Sequence, residues 1–363
     1  MKLVVLGLSL SSSWGNGHAT TFRALLRAFA ERGHDILFLE RDVPWYRNQR
    51  DLPDPDFCTL RFYSDLEELK RWTAEIRDAD AVMVGSYVPD GVAVGRFVQE
   101  TAEGVRCFYD IDTPVTLAKL ARGDFEYLAP ELIPNYDVYF SFTGGPTLRF
   151  LEEQYRSPAA RALYCSVDEQ VYRPLPAEPR WDLSYLGTYS DDRQPTLDAL
   201  LVEAARLAPE RRFCVAGPQY PATIDWPANV ERIEHVPPAE HPAFYAASRL
   251  TLNVTRADMI AAGWSPSVRL FEAAACATPV ISDIWPGLDQ LFRPGEQIIL
   301  ARRTNDVLAA LALDDAARRN MGVAARHVIL ESHTAGHRAA ELERDLLVSS
   351  EQVRSTRPAL ALS

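Results

Sequence analysis

Short apolar runs alternate with longer stretches of helical periodicity along almost the whole chain, and this alternation constrains the fold more than any other feature. Strands that alternate with helices are typical of βαβ units around a parallel sheet. Because such crossovers are almost always right-handed, we predict doubly wound sheets. In the first half, helical spacing occurs at Thr20–Arg32 and Leu66–Arg77, and the predicted strands are 2–8, 34–40, 80–85, 105–109, 137–142 and 161–165.

The alternation breaks once and then restarts. Residues 168–180, DEQVYRPLPAEPR, contain three prolines and no apolar period, which is typical of an interdomain linker. Strands are predicted afterwards at 182–187, 211–216, 230–233, 250–254, 279–282 and 297–300, and helices near 194–207, 241–248, 267–276 and 304–331.

A length of 363 residues suits two domains. We therefore predict an α/β fold with two Rossmann-like doubly wound domains facing a cleft, an N-terminal domain at 1–170 and a C-terminal domain at 181–333. A last helix at 334–348, with Leu342, Leu346 and Leu347 on one face, is a candidate to cross back to the N-terminal domain. The residues after it are expected to form a frayed tail.

Charge and cysteine usage exclude several classes of protein. With 38 Lys and Arg against 50 Asp and Glu, the net charge of −12 argues against general nucleic-acid binding, which needs a basic stripe. A local basic pocket for one diphosphate is still allowed. The five cysteines are far apart and form no CxxC pattern, which favours a reducing, cytoplasmic location. No apolar stretch approaches the roughly 20 residues of a membrane span, and we interpret the first ten residues as a buried strand.

The loop Ser11–His18 follows the first predicted strand, and parallel sheets bind ligands at the carboxyl ends of their strands. Gly15, Asn16 and Gly17 allow close backbone approach to an acceptor or anion. The loop lacks both the third glycine of a dinucleotide fingerprint and the lysine of a P-loop. His18 is a candidate catalytic base because imidazole titrates near neutrality, and it equally suits helix capping or substrate positioning.

Two further strand ends in the first half carry candidate residues. Asp110 and Asp112 follow a strand and are candidates to face the cleft, with Asp112 a candidate catalytic group. Asp112 followed by Thr113 is also a plain helix N-cap, and Pro114 suits the first helical turn. After the next strand, a glycine turn allows backbone to approach a ligand or serves as a structural turn. Its candidate cleft residues are Thr143, Gly144 and Gly145.

In the second half, the loop after the strand 182–187 ends in an arginine. The planar donors of Arg193 suit a diphosphate, although pairing with Asp191 or Asp192 on a surface would remove that role. Gly217 closes the next strand, where a base or ribose can lie against bare backbone.

The stretch 263–281 is the most informative part of the chain. Ser265 and Ser267 are expected to cap a helix whose N-terminus attracts a diphosphate, and Arg269 adds a full charge there. Glu272 lies on a close-packed helix and needs a partner, which ribose hydroxyls would supply. A salt bridge with Arg269, three residues earlier, is the alternative.

Taken together, these motifs resemble the GT-B glycosyltransferases, in particular the group-1-like branch named for the spore-maturation protein CgeB. The resemblance covers nearly the whole chain, and the helix that contains Glu272 is its most specific piece. The matching segments are GNGHATTFRALLRAFAERGH at 15–34, YDIDTP at 109–114, FTGGPTLRFL at 142–151, YLGTYSDDR at 185–193, AGP at 216–218, SPSVRLFEAAACATPVIS at 265–282 and GEQI at 295–298.

The resemblance implies a hexosyltransferase-like enzyme that uses a nucleotide-diphosphate sugar, such as a UDP- or dTDP-sugar, without a cofactor or catalytic metal. The C-terminal domain would hold the donor and the N-terminal domain the acceptor. Glu272 would bind the ribose hydroxyls, with Ser265, Ser267 and Arg269 near the diphosphate. The implied donor-binding set also includes Gly187, Thr188, Arg193 and Gly217.

The chain departs from the family pattern at three places. The Gly187–Arg193 loop has no lysine, Ala277 stands where glycine is common, and Pro279 and Val280 occupy the place of a second acidic residue. Donor sugar, acceptor, stereochemistry and oligomeric state therefore stay open. A nucleotide-sugar 2-epimerase of the same architecture and a non-catalytic nucleotide-sugar-binding module are the alternatives, while an incomplete fingerprint disfavours an NAD-dependent oxidoreductase.

Overall fold

The computed structural model describes residues 1–14 and 17–356 and divides the chain into two compact units. The first unit comprises Met1–Tyr164 and Ala335–Ser363, and the second comprises Cys165–Thr334. The boundary lies a few residues before the predicted one. The proline-containing segment 168–180 forms neither helix nor strand and belongs to the second unit.

A seven-stranded parallel sheet with the order β3-β2-β1-β4-β5-β6-β7 forms the first unit. The central strands are buried on both faces, which is why they appear in the sequence as continuous apolar runs. Sequence patterning missed β3, because its alternating residues TLRFY lie on an edge strand. The strands are β1 (Lys2–Gly7), β2 (Asp35–Arg41), β3 (Thr59–Tyr63), β4 (Ala81–Gly85), β5 (Val105–Asp110), β6 (Val138–Ser141) and β7 (Ala160–Ala162).

Helices connect these strands. The first helix, α1 (Gly17–Glu31), buries Phe22, Leu25, Leu26 and Phe29 at the spacing of one helix face. The predicted helix at 66–77 is divided by a 3-10 turn at Lys70–Trp72. The remaining helices of this segment are α2 (Pro44–Arg47), α3 (Leu66–Leu69), α4 (Thr73–Arg77), α5 (Gly91–Thr101), α6 (Thr113–Ala121) and α7 (Pro146–Gln154), with a 3-10 turn at Pro130–Asn135.

The second unit repeats this plan with six parallel strands in the order β10-β9-β8-β11-β12-β13. Each lies within a residue or two of its predicted position. The strands are β8 (Leu183–Leu186), β9 (Phe213–Ala216), β10 (Val230–Ile233), β11 (Thr251–Asn253), β12 (Val280–Ser282) and β13 (Ile299–Leu300).

The helices of the second unit correct one prediction. The pattern at 304–331 is two helices rather than one, because Asp314 ends the run and its side chain accepts from the Ala317 N–H to cap the second helix. The helices are α8 (Gln194–Leu197), α9 (Glu203–Leu207), α10 (His241–Ala246), α11 (Ala257–Ala262), α12 (Val268–Ala275), α13 (Leu288–Leu291), α14 (Thr304–Leu311) and α15 (Asp315–Ser332). A π-helical segment, Asp198–Val202, joins α8 to α9, and a 3-10 turn lies at Pro238–Glu240.

The last helix, α16 (Ala335–Thr356), belongs to the first unit and packs beside α1. Leu342 and Leu346 enter the same apolar core as Phe29. Two expectations for this segment are wrong: Leu347 is 52% exposed, and the helix continues eight residues past 348 because Val353 is buried in that core.

No helix within the described ranges is long and apolar enough to cross a membrane.

Candidate functional site

Polar side chains gather at the carboxyl ends of both sheets, and each unit has its own set. In the first unit His18 lies in the first turn of α1 and is only 7% exposed. Its Nε2 lies 3.7 Å from Oδ2 of Asp112, and its ring meets that of Tyr87 edge to face at 5.3 Å. Among the described residues, the buried Nδ1 has no hydrogen-bond partner. The imidazole beside a carboxylate is a candidate base with a candidate orienting group.

The structure decides between the alternatives for Asp112. The residue stands at the N-cap position of α6, but its side chain makes no capping hydrogen bond, so the capping interpretation is wrong. Its carboxylate faces His18 instead. Pro114 lies in the first turn of α6, as predicted.

Asp110, in contrast, is fully buried at the end of β5. It accepts hydrogen bonds from the hydroxyls of Tyr139 at 2.5 Å and Thr116 at 2.7 Å, and from the backbone N–H of Asp112 at 3.3 Å. Burial raises its pKa to about 6 although these hydrogen bonds act in the opposite direction. Asp110 therefore braces the turn that carries Asp112, and its predicted place in a cleft is wrong.

The glycine turn after β6 also has a structural explanation. Thr143 is fully buried, its N–H donates to Ser141 Oγ at 3.0 Å, and its carbonyl accepts from the same hydroxyl at 2.7 Å. A Cβ on Gly144 would lie 2.0 Å from the Tyr164 hydroxyl, so no larger residue fits. Gly145 is the N-cap residue of α7. These contacts favour the structural alternative for this turn.

Glu40, at the end of β2, was missed by sequence reasoning. In dinucleotide-binding folds an acidic residue near this point binds the ribose. Here the carboxylate is fully buried and accepts from the N–H groups of Leu10 at 2.6 Å and Ser11 at 2.9 Å and from the Ser11 hydroxyl at 2.6 Å. It fixes the loop after β1 instead. Of the loop residues predicted to line the site, Gly15 and Asn16 lie outside the described residues, and Gly17 begins α1.

At the corresponding edge of the second unit lie Arg193, Arg256 and Arg269, which we call the arginine cluster. Arg269 donates to the Leu186 carbonyl and, at 3.0 Å, to Asn253 Oδ1. Arg193 donates to the Thr188 carbonyl at 2.5 Å, and its buried Nε has no hydrogen-bond partner. Burial, together with the like charges of Arg269 and Arg256, lowers the pKa of Arg193. Three guanidinium groups this close favour a polyanion as ligand.

Asp283 acts on Arg269 through its charge, and Asp192 acts on Arg193 and Arg256. Across the described residues one ion pair reaches the arginine cluster, at 4.0 Å between Arg256 and Asp192. The surface pairing considered for Arg193 does not form, because Asp191 accepts from Tyr189 and Asp192 accepts from the Ala257 N–H. The guanidinium of Arg193 is thus available to a ligand.

Gly187 and Gly217 allow the backbone to pack around Arg269. A Cβ on Gly187 would lie 2.8 Å from Nη2 of Arg269 and 2.6 Å from the Tyr185 hydroxyl. Gly217 packs against the Gly187 carbonyl, and Thr188 is exposed beside it. Among these residues predicted to bind the donor, Gly187 contributes to the site because its missing side chain leaves room for Arg269.

Ser267 stands at the N-cap of α12 but does not cap it, so the capping prediction is wrong. Its hydroxyl donates instead to Asn253 Oδ1 at 2.7 Å, the same oxygen that Arg269 contacts. Ser265 is buried just before it. Asn253, a polar residue at the end of β11 that sequence reasoning missed, therefore joins the start of α12 to the arginine cluster.

Glu272 is 5% exposed and has partners within its own unit. Its Oε2 accepts from the Tyr245 hydroxyl at 3.1 Å and lies 3.4 Å from His241 Nδ1, and Tyr172 also hydrogen-bonds to it. Burial alone would raise its pKa, but these partners, His241 first, hold the pKa below its ordinary value. The alternative salt bridge with Arg269 is not formed, since that arginine contacts Leu186 and Asn253.

Within the described residues, no group of three or more His, Cys, Asp or Glu side chains is arranged to hold a metal ion.

Comparison with known proteins agrees with this arrangement. Residues 193–344 match the family described as Glycosyl transferase-like. No curated protein matches the sequence significantly.

Solved structures resemble the chain over almost its full length. Sucrose-phosphate synthase from Thermosynechococcus elongatus is 16% identical with a TM-score of 0.68, over 96% of this chain and 100% of that one. HepE of Anabaena, in complex with UDP-glucose, is 13% identical with a TM-score of 0.70 over the same shares. An alpha-glucosyltransferase in complex with UDP-glucose and DNA is 13% identical with a TM-score of 0.70, over 95% of this chain and 99% of that one. The chain therefore has the GT-B glycosyltransferase fold of two Rossmann-like α/β domains, and residues 193–344 are similar to the glycosyl transferase-like family.

Proposed function

We propose that the protein is a glycosyltransferase that moves a hexose from a nucleotide-diphosphate sugar to an acceptor hydroxyl. The observation that carries this proposal is the arginine cluster at the carboxyl ends of the second sheet, beside the start of α12. A diphosphate leaving group needs this kind of charge stabilisation as the glycosidic bond breaks. The match over residues 193–344 and the UDP-glucose bound to two proteins of the same fold support it.

The second unit would hold the donor. Arg193 and Arg269 would bind the diphosphate through paired N–H groups, and the free N–H groups at the start of α12 would add to this. Glu272, ionised and on the same helix as Arg269, is the candidate ligand of the pentose hydroxyls. Gly187, Thr188 and Gly217 would lie against the nucleotide with their backbone.

The first unit would hold the acceptor. His18 would accept the proton of the acceptor hydroxyl as the oxygen bonds to the anomeric carbon and the nucleoside diphosphate leaves. Asp112 would stabilise the imidazolium that forms. Asp110 would act through Asp112 by holding its turn in place.

We further propose that the reaction needs no metal, since the arginine cluster supplies the positive charge, and that it takes place in the cytoplasm, where five unpaired thiols are stable. We also propose that the chain belongs to the CgeB-like branch, because the motifs around Glu272 resemble it. Activity that survives chelation of divalent metals would agree with the first point, and activity that is lost would contradict it.

A thermal-shift panel of UDP-, GDP- and dTDP-sugars tests the proposal. A ligand that binds the native state raises the melting temperature by mass action. We expect one nucleotide class to do so, and we expect Arg193→Ala to abolish the shift. A panel without any shift would contradict the proposal.

Product analysis with the selected donor then separates the alternatives. A glycosyltransferase releases nucleoside diphosphate and glycosylates one acceptor of a panel. Epimerised donor formed without acceptor would point to the 2-epimerase instead. Tight binding with no turnover across the panel would point to a binding module.

A further inference from the structure

A buried histidine contacts the carboxylate proposed to bind the nucleotide pentose. His241 begins α10, and its side chain is 17% exposed. Its Nε2 lies 3.3 Å from the Val236 carbonyl oxygen, and its Nδ1 lies 3.4 Å from Glu272 Oε2. Both oxygens can only accept hydrogen bonds. The ring therefore lies between two acceptors, one beside each nitrogen.

The other groups around this pair are also donors. The hydroxyls of Tyr172 and Tyr245 both hydrogen-bond to Glu272, and Tyr172 lies 3.5 Å from His241 Nδ1. Burial, and then the charge of Glu272, raises the pKa of both tyrosines well above the ordinary value, so they stay protonated.

The remaining titratable groups near the pair lie on α12 and at its end. Cys276 is buried, and burial followed by the charge of Glu272 raises the pKa of its thiol to about 12, so it stays neutral. Arg269 is near enough to act on Tyr245 through its charge and stays cationic. Among the groups that face Glu272, His241 is thus the one whose ring nitrogens contact both the carboxylate and a backbone carbonyl.

We propose that His241 is a positioning residue for donor binding: by donating to both Val236 and Glu272 it keeps the Glu272 carboxylate charged and directed toward the pentose hydroxyls. This inference rests on the proposed function. A neutral imidazole has a single N–H, so either Val236 or Glu272 would then face a nitrogen lone pair. Glu272 would turn away from that lone pair or take up a proton.

Two ligands distinguish this role from a general one. UDP carries both pentose and diphosphate, whereas inorganic pyrophosphate reaches only the arginine cluster. We expect His241→Phe to weaken UDP binding by about tenfold, the scale of one charge-assisted hydrogen bond. Pyrophosphate affinity should change much less between the unchanged protein and its His241 variants.

Calorimetric titration of the full chain with both ligands tests the proposal. His241→Asn keeps a donor and should bind UDP with an affinity between those of the unchanged protein and His241→Phe. The KM for the donor should change more than kcat at saturating donor in both variants. His235→Asn, an exposed histidine of the preceding loop, is the matched control and should behave as the unchanged protein.

Equal UDP affinities in the unchanged protein and in His241→Phe would overturn the proposal. Equal losses of UDP and pyrophosphate binding would do the same, because they would indicate a general role in folding. If the unchanged protein binds neither pyrophosphate nor UDP, the proposed function fails, which is a different outcome from failure of the His241 assignment.

Discussion

The carboxyl edges of the two sheets follow parallel strands of similar order and carry different functional side chains. The first edge carries the carboxylates of Glu40, Asp110 and Asp112. Glu40 accepts hydrogen bonds from backbone N–H groups of the loop after β1, and Asp110 accepts them from two hydroxyls. The second edge carries the arginine cluster, whose charges are met mainly by carbonyl and amide oxygens. Topology alone therefore does not decide what such an edge binds.

The difference assigns different chemistry to the two edges. An edge with a histidine beside a carboxylate suits a neutral hydroxyl that must lose a proton. An edge with three arginines attracts a diphosphate and stabilises it as it leaves. The following predictions test this division.

The largest effect is expected at the first edge. His18→Ala should lower kcat by about 10²–10⁴-fold, because proton transfer from the acceptor loses its base. The affinity for UDP should stay unchanged. Steady-state release of nucleoside diphosphate and calorimetry measure the two quantities.

His327→Ala serves as the control, since that histidine is exposed on α15 and pairs with Glu331. A loss of UDP affinity in His18→Ala with unchanged kcat would place His18 with the donor and break the comparison.

At the second edge, Arg193→Ala should weaken UDP binding by about 1.5–3 kcal/mol, the range for hydrogen bonds to charged groups. Arg193→Lys should recover part of it, since a point charge remains but the planar donors do not. Isothermal titration measures the change. Arg206→Ala on α9, where the arginine pairs with Glu203, should leave UDP binding unaltered, and equal effects of both variants would refute a specific diphosphate contact.

Asp110→Asn tests the buried carboxylate of the first edge. The pKa of Asp110 is raised from 3.8 to about 6 in the folded protein, so folding favours its protonated form. The stability contributed by Asp110 is therefore fully present below pH 4 and lost as the pH rises through 6, by about 3 kcal/mol. Asn cannot titrate, so the stability advantage of the unchanged protein over the variant should shrink between pH 4 and pH 7.

Urea unfolding of both proteins at pH 4, 5.5 and 7 gives this difference directly. Parallel stability profiles would show that Asp110 keeps an ordinary pKa and would remove its assignment as a buried brace.

The smallest effect concerns the turn after α12. Ala277 has φ +57°, a left-handed conformation that costs a non-glycine residue roughly 1 kcal/mol. Ala277→Gly should therefore raise the melting temperature by about 2 °C. Ala309→Gly, on the exposed face of α14, should lower it, and a decrease in both variants would show that the Ala277 side chain contributes more by packing than it costs in strain.

Much of the fold could be predicted because buried parallel strands are continuous apolar runs and the runs are separated by helical periods. Elements that lack this pattern were not predicted correctly. The edge strand β3 alternates in polarity, and the break between α14 and α15 depends on one capping aspartate. The extension of α16 depends on Val353 meeting a core built from distant residues.

The candidate site could be predicted only in part, for a related reason. His18, Arg193 and Arg269 were found because they follow strand ends. Other hydrogen bonds that build the site join residues far apart in sequence. Leu10 and Glu40 are 30 residues apart, and Tyr245 and Glu272 are 27 residues apart. Such pairings are set by tertiary packing, which leaves no local pattern.

Calorimetric comparison of UDP with UMP tests the central claim most directly. If the arginine cluster grips a diphosphate, UDP should bind at least about tenfold more tightly than UMP, because the second phosphate adds charge-assisted hydrogen bonds. Arg193→Ala should remove most of that difference. Equal affinities for the two nucleotides, or a preference for UDP that persists in Arg193→Ala and Arg269→Ala, would contradict the account.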